Sequence, residues 1–216
     1  MKKINAILKK EWLNFKGSER GVFFIYGILI ISWSFLPLNK EFGAGPTWWL
    51  FFSVIISGNF SNSVFVSERL NGTMEVLLTS GFNRDEVFFG KILFVLIMTI
   101  VIGASCFGLS MVWQFLNGHT TIQKDVLLDM IFFFAGAAMN VAFGAWMSLR
   151  LQSPRIIPFM TIMLMGFVVA GFYALSFFAH TPQWLLGAAL AVLAGVFGTC
   201  ARNEFHGEKV IQPIHF

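Results

Sequence analysis

The feature that most constrains this chain is a set of apolar runs, each close to the length that crosses a bilayer. They fall at roughly 21–38, 47–66, 92–114, 130–149, 156–178 and 184–201. A transmembrane helix needs about 20 mainly apolar residues to cross a hydrocarbon layer roughly 30 Å thick. Backbone in lipid must satisfy its own hydrogen bonds, which selects the helix for such runs. Six runs in 216 residues fill well over half the chain and leave no room for a separate soluble catalytic domain. Charged residues make up 12% of the chain, about half the usual share in a soluble domain. The expected fold is an all-α polytopic membrane protein with six transmembrane helices. Residues 1–20 would form an interfacial helix, 21–202 the membrane domain and 203–216 a cytoplasmic tail.

The cationic residues alternate in density between successive connections. Thirteen lie in the N-terminal segment, in the connections after the second and fourth runs, and in the tail; only Lys40 and Lys124 lie in the alternate connections. Basic residues are retained on the cytoplasmic side, so both ends and the 67–91 stretch are expected in the cytoplasm, with the protein in the cell (inner) membrane. The net charge of +4 then reflects orientation. The cations are dispersed and no nucleic-acid motif accompanies them, so no nucleic-acid partner is expected.

Ile4, Ile7, Leu8, Trp12 and Phe15 recur at helical spacing with lysines between them. This pattern predicts a helix lying in the inner interface, its apolar side toward lipid. The alternative is a disordered basic tail. No clear small-x-small site follows the first apolar run, so the segment is expected to be retained.

Polar residues inside spans tend to face protein or a wet cavity. The second run has Ser53, Ser57 and Ser61 at four-residue steps, with Asn59 and Asn62 nearby. Two readings stand: a wall of a translocation path or dimer seam, or ordinary interhelical hydrogen bonding. Gly136, Asn140 and Gly144, and likewise Gly187, Ala191 and Gly195, form small-residue ridges suited to close helix packing.

Catalytic signatures are missing. There is no H-E-x-x-H, no G-x-S-x-G and no pair of carboxylates at a membrane boundary. Cys106 and Cys200 lack metal-ligand spacing and read as small core residues. Gly90 and Lys91 look like the end of a phosphate loop, but position 85 is Asp85 and Ile92 stands where Ser or Thr is required. No cofactor, metal or nucleotide site is expected.

The stretch 67–91, SERLNGTMEVLLTSGFNRDEVFFGK, carries seven of the 26 charged residues. Met74, Leu77 and Leu78 fall on one side of a short helix. Gly81 follows as a left-handed stop. Asn83 and Glu86 then have the spacing of a capping box that opens the helix of the third span. A two-turn amphipathic helix lying across the membrane end could dock in a partner's groove or rest on lipid headgroups.

Within it, Glu68, Gly72, Thr73, Glu75, Leu77, Leu78, Arg84, Gly90 and Lys91 resemble the cytoplasmic loop of ABC-2 type transporter permeases. Ser80, Gly81 and Phe82 stand where that family usually has a Pro after the Leu-Leu segment. The six-run layout with a basic amphipathic start is similar too. The resemblance implies a permease subunit that by family habit exports, paired with a second six-span permease, identical or related. ATP hydrolysis would belong to a separate ABC ATPase subunit. It further implies that Met74, Leu77 and Leu78 seat in an ATPase groove, that Glu68 and Arg69 relay its movement, and that Gly72 permits a sharp turn. A haem-exporter-like permease of cytochrome c maturation and a non-transporting scaffold for an ATPase are the alternatives.

Overall fold

The computed structural model describes residues 2–17, 20–35, 46–66, 81–117, 126–151, 156–179 and 182–205. Among them the chain is all helical: α1 (Lys2–Gly17), α2 (Arg20–Phe35), α3 (Pro46–Ser61) running into a π-helical turn (Asn62–Val66), α4 (Arg84–Leu116), α5 (Val126–Arg150), α6 (Ile156–Ala179) and α7 (Trp184–Glu204). The described part of each of the six apolar runs lies on one of the helices α2 to α7, the second continuing into the π-helical turn. By length and composition, the described parts of α4, α5 and α7 are long and apolar enough to cross a membrane. Phe24–Phe35 and Phe159–Leu175 are shorter apolar segments. The expected transverse helix, with Glu68, Arg69, Gly72, Thr73, Met74, Glu75, Leu77 and Leu78, lies outside the described residues, as does the tail beyond 205.

The packing follows from where small and large side chains fall. α3 sits between two cores. Phe52, Ile56 and Phe60 join Val87, Val95 and Met98 of α4 in the first, and Leu50 and Val54 join Met139 and Phe143 of α5 in the second. α7 packs along α5 through Leu186, Leu190 and Phe197. Among its described side chains, α6 buries the stripe of Ile157, Thr161, Met165 and Val169, one residue per helical turn.

Large apolar side chains also cover much of the outside. Phe167, Phe177 and Phe178 of α6 are 69%, 81% and 83% exposed, and Phe24 and Ile28 of α2 are exposed as well. Apolar surface on this scale is stable against lipid and not against water. With 33 residues, α4 is roughly 50 Å long at 1.5 Å per residue, well beyond the roughly 30 Å of a hydrocarbon layer. Its first turn carries Arg84, Asp85 and Glu86, and α1 packs on this end through Lys3 at Glu86 and Ile7 at Gly90.

Candidate functional site

Residues 67–80 leave from the π-helical turn after α3 and return at Gly81. A single buried cation fastens both sides of that connection. Lys91 Nζ, on α4, donates to the carbonyl oxygen of Val64 at 3.1 Å and to Glu11 Oε1, on α1, at 3.1 Å. Lys91 has no exposed surface and Glu11 is 3% exposed. The Phe65 ring lies 6.0 Å from the ammonium, and Lys10 Nζ stands 3.3 Å from the same carboxylate oxygen.

Local sequence explains each participant. The last carbonyls of a helix lack intrahelical partners and attract a cation; Val64 supplies one of them in the π turn. Lys91 falls in the buried stripe Val87, Phe88, Lys91, Phe94, Val95 of α4. Glu11 falls four residues after Ile7, which is 1% exposed. Ile7 lies over Gly90, where a Cβ would stand 3.0 Å from its side chain. The glycine thus admits α1 close enough for Glu11 to reach Lys91.

A second set of polar contacts surrounds the clamp. Gly81 adopts φ +84°, a conformation cheap only for glycine. The Asn83 backbone N–H donates to Glu86 Oε2 at 3.0 Å, which forms the expected capping box. Lys3 donates to the Gly81 carbonyl at 3.1 Å and lies 3.6 Å from Glu86. Arg202 of α7 grips both carboxylate oxygens of Asp85, at 3.2 and 3.0 Å. Arg150 of α5 grips Glu204 of α7, with its Nε 3.0 Å from each oxygen, and Trp146 Nε1 donates to the same carboxylate at 3.2 Å. Ion pairs thus join α1, α4, α5 and α7 at this end. Outside the apolar runs, the hydrogen bond from Arg202 holds the Asp85 carboxyl below its ordinary range and raises the Arg202 guanidinium. The hydrogen bond to Glu204 raises Arg150. Arg84 is exposed at the start of α4.

The polar positions of α3 divide. Ser53, Ser57 and Ser61 are buried against α5 within the same chain. Asn140 Nδ2 donates to Ser57 Oγ at 2.6 Å and to the Val54 carbonyl at 2.9 Å. A Cβ on Gly136 would meet Ser53 Oγ at 2.6 Å, and one on Gly144 would meet Ser61 Oγ at 2.7 Å. The serines of α3 thus interlock with the ridge of α5. Asn59 is exposed and Asn62 half-buried, with Asn62 Oδ1 enclosed and unbonded among the described residues. On α7, Gly187 packs against Ile131, while Ala191 and Gly195 lie on the exposed side.

Neither Glu11 nor the burial of Lys91 is evident from composition. Their signal is positional: each is a charge placed in the middle of an apolar helical face.

A sequence-family profile described as "ABC-2 family transporter protein" matches residues 40–194. No curated protein and no solved structure matches.

Proposed function

As the chain belongs to the ABC-2 family of transporter proteins and is accordingly a membrane permease of an ABC transporter, we propose that it is the transport half of an exporter driven by a separate ATPase subunit. The ATPase docks on residues 67–80, where Met74, Leu77 and Leu78 enter its groove. Two six-span permeases, identical or related, pair around the path, with both chain ends and the docking stretch in the cytoplasm of a cell-membrane protein. The thirteen-to-two distribution of cations supports that orientation.

The observation that carries the reading is the Lys91–Glu11–Val64 clamp. A push on residues 67–80 acts on the end of α3 and the start of α4 together, because Lys91 ties one to the other. Through Glu11 it acts on α1 as well. A buried ion pair whose ammonium also bonds a backbone carbonyl resists separation strongly, so the three elements move as one lever. Glu68 and Arg69 pass the displacement to α3, and Arg84 meets the ATPase at the head of α4. The exposed Asn59 and the half-buried Asn62 face the path or the second permease, whereas Ser53, Ser57 and Ser61 keep α3 joined to α5.

The test is coupling in vesicles. The chain and the ATPase recovered with it are reconstituted together, and fluorescent amphipathic dyes are offered outside inside-out vesicles. ATP-dependent accumulation is expected, and it disappears in Leu77→Asp. Loss of preloaded dye on adding ATP would reverse the direction, and ATP hydrolysis without dye movement in either direction would support the scaffold.

A further inference from the structure

A groove of about 520 Å³ runs between α1, α2 and α4. Its volume lies within the range of small-molecule sites, roughly 300–1,000 Å³. Trp12 and Phe15 of α1 and Tyr26 of α2 line one end, and the wall on α4 extends from Phe94 to Ser105. Trp12 and Val101 are 46% and 54% exposed, so the groove opens on the outside of the bundle.

Its dimensions and chemistry select an occupant. Eleven residue steps along α4 amount to about 16 Å, close to half of a roughly 30 Å hydrocarbon layer. The groove thus has the depth of one leaflet. α1 lies across its shallow end, fixed there by Ile7 on Gly90 and Glu11 on Lys91. Lys9 and Lys16, three residues before and four after Trp12, are exposed on the side of α1 that carries Trp12. Glu11, the sole acid of α1, is turned inward to Lys91, so it does not neutralise them. Tyr26 of α2 lines the groove beside Phe15 of α1.

We propose that this groove is a binding site for an anionic phospholipid of the bilayer: one acyl chain lies along α4 and the headgroup phosphate rests on Lys9 and Lys16. The site requires that the chain be embedded in a membrane. It does not depend on ATPase docking, and its test is independent of that docking.

The 216-residue chain is reconstituted in phosphatidylcholine vesicles containing either brominated phosphatidylglycerol or brominated phosphatidylcholine. The emission of Trp12 is isolated by difference against Trp12→Phe. Phosphatidylglycerol is expected to quench Trp12 at a mole fraction on the order of tenfold lower than phosphatidylcholine. The Lys9→Gln/Lys16→Gln double variant should remove that preference and leave quenching by both lipids. Ser105→Phe, which plugs the deep end, should weaken quenching by both. Equal quenching by the two lipids in the unaltered chain would overturn headgroup recognition. A preference that survives the lysine changes would also overturn it. Indifference to Ser105→Phe would mean the lipid merely surrounds α1, and absence of quenching by either lipid would mean that a second copy covers the groove.

Discussion

Lys91 and Glu11, eighty residues apart, form a 3.1 Å ion pair in which the lysine has no exposed surface. The pair joins the N-terminal helix to the head of α4, and the Val64 carbonyl extends it to the end of α3. Removing one partner of such a pair strands a buried charge, at a cost of about 3–5 kcal/mol, whereas removing both costs far less. Lys91→Met should therefore lower the thermal midpoint sharply in detergent, and Glu11→Gln in the same chain should recover most of the loss. Equal destabilisation in the single and double variants would show that the pair has no coupling of its own.

The α3–α5 seam predicts a gradient of tolerance among glycines. A Cβ at Gly136 meets Leu50 and Ser53 of α3, but one at Gly195 meets nothing within 4 Å. Gly136→Leu should reduce the yield of monodisperse protein severely, while Gly195→Leu leaves the monomer's fold intact. Asn140→Leu falls between, since an interhelical hydrogen bond in a membrane is worth about 0.6–2 kcal/mol. Size-exclusion profiles of the three variants order them directly.

At the exposed rim of the same end, the Arg202 hydrogen bond lowers the Asp85 carboxyl from an ordinary value of 3.8. A carboxyl held low in the folded state contributes stability above its ordinary value. It loses that contribution as the pH falls through the lowered folded value. The Asp85–Arg202 contact should thus persist through neutral pH and open only below the ordinary aspartate range. Carboxyl carbon shifts followed by NMR would report it, and Arg202→Gln should return the Asp85 midpoint upward. The pair is exposed, so the change should barely alter overall stability.

Much of the layout is legible in one dimension because its causes are local. The apolar runs mark helices α2 to α7, and Asn83 with Glu86 marks the start of α4 through reciprocal hydrogen bonds three residues apart. Gly81 adopts a left-handed conformation. What the pattern does not reveal depends on distant partners. Glu11 reads as one acid among lysines until Gly90 lets Ile7 approach α4 and Lys91 appears beneath it. The π turn has no local marker, and the Val64 carbonyl that Lys91 reaches lies within it. Ser53, Ser57 and Ser61 present a polar stripe in sequence, but only the packing of α5 makes it a joint within the chain.

The central claim is that residues 67–80 seat a separate ATPase. The most direct measurement is to tag the chain, extract it in mild detergent and identify what accompanies it. The account predicts a soluble P-loop ATPase near one per permease, lost in Leu77→Asp while the variant still inserts in the membrane. Undiminished association in Leu77→Asp, or no ATPase even after crosslinking in native membranes, would contradict it.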